Sequence, residues 1–178
     1  MAATITLSEP FSSSSSSSSY RAPDDYKYDV FVSFRGEDTR RNFTDHLYHA
    51  LTNAGFRTFR DDDEILTRED HSSKILQAIQ GSRIFLIVLS KNYASSTGCL
   101  EELVEILQCC RSSNQIVVPI FYDVSPSDVR NQRGTFEEAF LIHEDRYCLN
   151  GDKVSIWRGA LTEIANIPGL NRESTADG

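Results

Sequence analysis

The stretch YDVFVSFRGEDTR, from Tyr28 to Arg40, decides the fold predicted for this chain. Its apolar first half is typical of a buried strand, and Arg35 and Gly36 then end the run. The acidic and threonine side chains that follow are typical of a helix start. In open α/β sheets, ligands bind where such loops leave the carboxyl ends of the strands. This loop is therefore the first place to look for a functional site.

Strand and helix patterns alternate along the rest of the chain. Further strands are predicted at 56–60, 83–90 and 115–124, and amphipathic helices are predicted around 43–54, 72–80, 99–107, 135–147 and 154–165. This alternation predicts parallel strands, right-handed crossovers and helices on both faces of a sheet. We therefore expect an α/β doubly wound parallel sheet of about five strands in the common order 2-1-3-4-5.

Three local signals refine these elements. Pro119 interrupts a predicted strand and has no N–H to donate, so we expect a bulge or a locally unpaired edge there. Ser72 or Ser73 is expected to cap the second helix, and 125–127 is expected to form a turn.

The chain of 178 residues has room for one domain with a real core. Residues 12–19 are all serine, so we expect 1–25 to be a disordered leader that buries no apolar surface. The predicted domain spans 26–169, where Pro168 and Gly169 end the last helix, and 170–178 is expected to be a tail.

Composition excludes several classes of function. A net charge of -8 and a pI near 5.0 disfavour general nucleic-acid binding, because the phosphate backbone is also negative. The longest apolar run, 84–89, suits a core strand and is too short to cross a membrane, so we expect a soluble protein. The four cysteines contain no CxxC pair, which disfavours a zinc site and is typical of a reduced, cytosolic protein.

The predicted strand order places two loops beside one crevice. In this order, the strands after strand one are added on opposite sides of it, and the crevice at this switch point is where such sheets bind ligands. The switch point lies between strands one and three, so the loops at 35–39 and 91–98 should flank the crevice. Glu102, in the first turn of the next helix, either complements the helix dipole, or stabilises positive charge that develops on a sugar, or holds ribose hydroxyls. Arg35 and Gly36 are either a surface arginine and a turn glycine or a cradle for a nucleotide's phosphates. The sequence contains no GxGxxG, GxxxxGK[ST] or GxSxG motif.

The sequence closely resembles the Toll/interleukin receptor (TIR) domain of plant intracellular immune receptors, of the TIR-only or TIR-NBS-LRR type. The resemblance covers nearly everything after the leader. It rests on YDVFVSFRGEDTR (28–40), NFTDHLYHAL (42–51), SKNYASS and CLEELVEI (90–106), VPIFYDVSPSDVRNQRGTFEEAF (118–140) and WRGALTEIANIPG (157–169).

The resemblance implies a flavodoxin-like fold and immune signalling through self-association in the cytoplasm or nucleo-cytoplasm. Many plant members resemble NAD glycohydrolases, which take NAD+ as a substrate, release nicotinamide and make ADP-ribose-type signals without a further cofactor or metal. The family's catalytic glutamate, the last residue of CxxE, corresponds to Glu102. Its nucleotide-contacting loop corresponds to Phe34, Arg35, Gly36, Glu37, Asp38, Thr39 and Arg40.

The partners implied by the resemblance are other TIR domains, in homo- or hetero-oligomers, and downstream immune signalling proteins. The family's self-association surface includes the first helix, where a Ser-His pair is common. In this chain the pair is Asp45-His46.

The alternative is a catalytically weak adaptor or decoy that acts only through contacts between TIR domains. Gly98 stands where the family usually has an aromatic residue, and 66–71 lacks the usual Arg-Gly-Glu. Intact CxxE and FRGEDTR motifs favour the enzyme. Relatives continue after Gly169 with Gly-Trp, a last strand and a last helix, so we expect that helix to be absent from this chain, which is either a TIR-only product or a fragment.

Overall fold

The computed structural model describes residues 25–60 and 68–171. Its five strands form one parallel sheet in the order β2-β1-β3-β4-β5, which confirms the predicted α/β fold and strand order. The strands are β1 (Tyr28–Phe34), β2 (Thr58–Arg60), β3 (Ser82–Leu89), β4 (Ile116–Phe121) and β5 (Leu170–Asn171).

Within 25–60 and 68–171, seven helices accompany these strands, and a short 3-10 turn, Tyr93–Ser95, follows β3. None of the described helices is long and apolar enough to cross a membrane. The helices are α1 (Gly36–Thr39), α2 (Phe43–Asn53), α3 (Arg68–Gln80), α4 (Thr97–Ser112), α5 (Pro126–Asn131), α6 (Thr135–Arg146) and α7 (Gly151–Ile164).

The alternating side chains of β1 divide the core into two clusters. Phe31 belongs to the larger cluster, which includes buried residues of α3, α4, α6 and α7. Val30, Val32 and Phe34 belong to the smaller one, against which Phe43 and other residues of α2 pack. Because successive side chains of a strand point to opposite faces, helices cover both faces of the sheet, as predicted.

The predicted helix start differs from the structure at two sites that contain serine. Helix α3 already begins at Arg68, so Ser72 and Ser73 lie inside it and neither is its cap. The predicted turn at 125–127 is the start of α5, where the Ser125 hydroxyl accepts the Asp128 N–H at 3.0 Å and Pro126 occupies the first turn. Serine at the N-cap followed by proline is a strong helix start, which the turn prediction overlooked.

Strand β4 contains Pro119 without a bulge, because its register with β3 runs unbroken from Ile116 to Phe121. Tyr122 donates its N–H to Leu89 of β3 at 3.0 Å. Since amides alternate sides along a strand, the nitrogen of Pro119 faces the β5 side, where pairing begins only at Ile120. The expected bulge is wrong, whereas the locally unpaired edge is present.

The ends of the described chain bear on the predicted boundaries. The predicted leader, 1–25, lies outside the described residues except for Asp25. The sheet continues past the predicted boundary at 169, because Leu170 and Asn171 form β5 and pair with β4. The remainder of the predicted tail, 172–178, lies outside the described residues.

Candidate functional site

The loops that leave β1 and β3 meet at the switch point, and Asp38 joins them. Its carboxylate accepts the Ser90 hydroxyl at 2.6 Å, the Asn92 N–H at 3.0 Å and the Asn92 side-chain amide at 3.2 Å. Burial raises the pKa of Asp38, but these hydrogen bonds and the charge of Arg35 together bring it below its ordinary value. The ionised side chain of Asp38 therefore holds the loops after β1 and β3 together across the crevice.

The first turn of α4 is held against the end of β1. The Ser96 hydroxyl caps the helix by accepting the Cys99 N–H at 3.2 Å, and the Cys99 thiol lies 3.6 Å from the carbonyl oxygen of Phe34. Burial, with the nearby charge of Glu102, raises the pKa of the Cys99 thiol to about 12. Cys99 is thus an uncharged side chain that packs against the end of β1. This contact fixes the start of α4, the helix that bears Glu102, beside the crevice.

A cleft of about 460 Å³ contains Glu102. Glu102 lies in the second turn of α4 and not in the first turn as predicted, because the helix already begins at Thr97. Glu101, Glu102 and Glu105 of α4 form one acidic wall, and Arg40 lines the same cleft. Of the three glutamates, Glu101 also pairs with Lys153 of α7 at 2.5 Å. The apolar lining comes from β1 and α3 and consists of Val32, Phe34, Ile75, Leu76 and Ile79.

A second, more polar cleft of about 550 Å³ adjoins the first. The two clefts share Arg40, Ser96 and Cys99 as lining residues, so they form one crevice along the carboxyl edge of the sheet. The remaining lining residues of the second cleft are Arg35, Gly36, Glu37, Asp38, Arg41 and Asn42. The predicted convergence of the Arg-Gly loop and the start of the CLEEL helix is therefore present.

Thr39 is the one predicted loop residue that lines neither cleft. Its side chain is completely buried, accepts the Thr44 hydroxyl at 2.8 Å and donates to the carbonyl oxygen of Arg35 at 3.4 Å. The structure thus places Thr39 behind the loop, where it supports the loop's shape and cannot reach a ligand in the crevice.

Two arginines of the loop have different surroundings. Arg35 forms ion pairs with Glu37 and with Asp38, the latter at 3.5 Å. The guanidinium of Arg40 lies 5.7 Å from the ring centroid of Phe34 and against Gly36, where a Cβ atom would come within 2.9 Å of Arg40 Nη2. Gly36 therefore leaves room for Arg40 at the junction of the two clefts, and Arg40 is better placed than Arg35 to meet a phosphate.

Asp45 and His46, the predicted self-association pair, lie on α2 away from the lining of the crevice. Asp45 forms an ion pair with Arg60 at 2.9 Å and lies 3.7 Å from His49 Nε2. His46 is exposed. Of the two, His46 is therefore the side chain that can be changed without breaking a contact to β2.

Position 98 is open. Gly98 is exposed at the start of α4, and a Cβ atom there would meet only Ser96 Oγ, at 3.7 Å. The other departure from the family pattern is the segment 66–71. Of this segment, Leu66 and Thr67 lie outside the described residues, and 68–71 belong to α3.

Within 25–60 and 68–171, no three His, Cys, Asp or Glu side chains are grouped closely enough to hold a metal ion.

Sequence reasoning missed two side chains that shape this site, Ser33 and Tyr93, both buried. Ser33 lies in the apolar run 30–34 of β1, and Tyr93 lies in the 3-10 turn after β3. The only signal was Ser33 itself, a polar residue between Val32 and Phe34, which indicates a buried partner without identifying it.

Comparison with known proteins gives a consistent result. Residues 27–177 match the family model described as TIR domain. The chain is 52% identical over 159 residues to disease resistance protein RPV1 of Vitis rotundifolia, and 47% identical over 163 residues to TMV resistance protein N of Nicotiana glutinosa. These matches cover 89% and 90% of this chain but only 11% and 14% of the two relatives.

Among solved structures, the chain resembles the TIR domains of the activated Roq1 resistosome, which directly recognizes the pathogen effector XopQ. The TM-score is 0.78 at 50% sequence identity, and the match covers 85% of this chain and 91% of that one.

Proposed function

This chain belongs to the TIR domain family, and on that premise we propose that it is a plant immune signalling module that cleaves NAD+ when it self-associates. The proposed products are nicotinamide and an ADP-ribose-type signal. One observation carries the proposal: Glu102 and Arg40 line a single cleft that opens into a second, more polar one.

The chemistry of the crevice suits a dinucleotide with a cationic ring. The apolar lining from Val32, Phe34 and Ile79 can hold the flat nicotinamide ring, and the acidic wall of α4 favours its positive charge. Arg40, at the junction of the clefts, can bind the pyrophosphate. The second cleft then receives the other half of the dinucleotide.

Glu102 is the proposed catalytic carboxylate. When the bond between nicotinamide and ribose breaks, positive charge develops on the sugar, and a fixed carboxylate beside it stabilises that charge. Water supplies the oxygen that completes the ADP-ribose product. Apolar surroundings strengthen the effect, because Glu102 is partly buried in the cleft.

Assembly is the second part of the proposal. The Roq1 TIR domains belong to a resistosome, and we propose that this chain likewise associates with other TIR domains, including its own copies. The proposed location is the cytoplasm or nucleo-cytoplasm, where NAD+ and downstream immune signalling proteins are both within reach.

The alternative function is a non-catalytic adaptor or decoy that acts only through TIR contacts. It is favoured by Gly98, which offers no side chain to close the cleft at the start of α4. The enzyme and the adaptor would both associate with other TIR domains, so only a measurement of catalysis distinguishes them.

The test is nicotinamide release from NAD+ by the purified protein, measured across a wide range of protein concentration with and without a crowding agent. We expect release to rise faster than linearly with concentration. Glu102→Gln should lower the rate by about 100-fold or more, because it removes the charge and keeps the shape. Glu105→Gln, about one turn further along the same wall, is the matched control: it removes an equal charge and should leave kcat nearly unchanged, with any effect confined to KM.

One outcome would contradict the role of Glu102, and another would contradict the enzyme itself. Equal release by the wild type and Glu102→Gln would remove Glu102 from catalysis. No release at any concentration from folded protein would favour the adaptor, and activity gained with Gly98→Trp would then identify the missing ring as the cause.

A further inference from the structure

Tyr93 lies in the 3-10 turn between β3 and α4, and its side chain is completely buried. Its hydroxyl lies 3.1 Å from the carbonyl oxygen of Cys99 and 2.9 Å from Ser33 Oγ. A phenol has a single proton, and a carbonyl oxygen can only accept, so Tyr93 donates to Cys99 and Ser33 donates to Tyr93. This chain of hydrogen bonds joins the middle of the sheet to the first turn of α4.

The turn that carries Tyr93 is also anchored from the opposite side. His143 Nε2 of α6 donates to the carbonyl oxygen of Ala94 at 2.8 Å, and the Thr135 hydroxyl donates to the carbonyl oxygen of Lys91 at 2.5 Å. The backbone of the turn is therefore held independently of the Tyr93 hydroxyl. Loss of that hydroxyl removes one of the contacts that hold the first turn of α4 and leaves the 3-10 turn itself in place.

The first turn of α4 determines where Glu102 lies. Cys99 precedes Glu102 by about one helical turn, so a small shift at Cys99 is carried along the helix to the carboxylate. A misplacement of about 1 Å can reduce the rate of an enzyme by about 100-fold. Burial, with the nearby charge of Glu102, raises the pKa of Tyr93 well above its usual range, so its hydroxyl keeps the proton that it donates.

We propose that Tyr93 is a positioning residue for Glu102: its hydroxyl, supported by Ser33 and acting through the Cys99 carbonyl, fixes the first turn of α4 at the crevice. The catalytic consequence rests on the proposed function. The positioning itself is a property of the folded chain and is measured without turnover.

The primary experiment is NMR on the full chain, with the carboxyl carbon of Glu102 followed through a pH titration and the amide exchange of α4 followed at neutral pH. In Tyr93→Phe, we expect exchange at Cys99 and Leu100 to become about tenfold faster, since one hydrogen bond to this turn is lost. The titration curve of Glu102 should move as well, because its carboxylate changes surroundings.

Ser82→Ala is the matched control. Ser82 is also completely buried, and its hydroxyl donates to the carbonyl oxygen of Ala78 at 2.6 Å, at the amino end of β3. This variant should lose stability while the Glu102 titration and the exchange of α4 stay as in the wild type. A general loosening of the fold would change both variants alike and would overturn the proposal.

The double variant Tyr93→Phe with Ser33→Ala separates positioning from stability. Tyr93→Phe alone leaves the Ser33 hydroxyl buried without its partner, and removing that hydroxyl should restore part of the lost stability. The altered Glu102 titration should persist, because the bond to Cys99 is still missing. A Glu102 titration that returns to the wild-type curve would overturn the proposal.

Kinetics extend the test to catalysis. In Tyr93→Phe, kcat for nicotinamide release should fall about tenfold or more, with KM changed less than about twofold, because the substrate contacts remain. If the wild type releases no nicotinamide, the proposed function fails, and the NMR results still decide the positioning role. Unchanged exchange and unchanged titration in Tyr93→Phe overturn that role whatever the activity.

Discussion

Asp38 holds the two loops of the crevice together through charge. Its pKa is raised by burial, but the hydrogen bonds from Ser90 and Asn92 and the Arg35 charge bring it below the ordinary value of 3.8. The folded protein therefore favours the ionised carboxylate more than the unfolded chain does. This contribution to stability is fully present above the ordinary pKa and is lost as pH falls through the lower pKa of the folded state.

We predict that Asp38→Asn lowers the free energy of unfolding at pH 7 by about 1–3 kcal/mol, since hydrogen bonds to a charged acceptor are lost. The variant should also lose less stability than the wild type on acidification below about pH 4, where the native carboxylate becomes protonated. Urea unfolding between pH 3 and pH 7 measures both effects. Asp145→Asn, at an exposed position of α6, is the control. Parallel pH curves for Asp38→Asn and the wild type would refute this account.

At the scale of elements, the edge of the sheet depends on how closely β5 approaches β4. Gly169 precedes β5, and a Cβ atom there would lie 2.4 Å from the carbonyl oxygen of Pro119 and 2.6 Å from its Cγ. Proline leaves this edge without a donor, and glycine allows the backbone to come close. The two residues together bring a strand of only two residues into the sheet.

We expect Gly169→Ala to lower the free energy of unfolding by about 1–3 kcal/mol, because backbone and proline ring atoms cannot move aside easily. Gly159→Ala is the matched change in α7, where nothing lies within 4 Å of the added atom. That variant should gain about 0.5–1 kcal/mol, because alanine favours a helix interior over glycine. Thermal unfolding of both variants provides the comparison. Equal midpoints would show that β5 tolerates the side chain.

At the scale of the whole molecule, α2 presents its exposed surface away from the crevice. Asp45 is tied to Arg60 of β2, whereas His46 is exposed on the same helix. A substitution at His46 therefore tests association without disturbing the fold. The crevice and this surface lie on different elements, so association and substrate binding can be changed separately.

We predict that His46→Glu weakens self-association, because it places new negative charge on a helix of a protein whose net charge is already -8. Light scattering coupled to size-exclusion chromatography, run over a range of concentrations, measures the effect. The thermal midpoint should remain within about 2 °C of the wild type, as is usual for exposed positions. An unchanged scattering profile would remove α2 from the interface.

Much of the fold could be read from local pattern. The apolar run at 28–34 and the alternation of strand and helix periods determined the α/β class and the strand order, because burial on both faces leaves few arrangements of a parallel sheet. The same order brought the Arg-Gly loop and Glu102 to one crevice. Strand β5 could not be found this way, since two residues carry no period and pair only through the approach of Gly169 to Pro119.

The roles of individual side chains were decided only by the tertiary structure. Sequence marks Thr39 and Arg40 alike as loop residues, yet Thr39 is buried behind the loop and Arg40 lies at the junction of the two clefts. Nothing local marks Tyr93, whose partners Ser33 and Cys99 come from β1 and α4. Hydrogen bonds between elements distant in sequence depend on how those elements pack, and packing is a property of the folded chain as a whole.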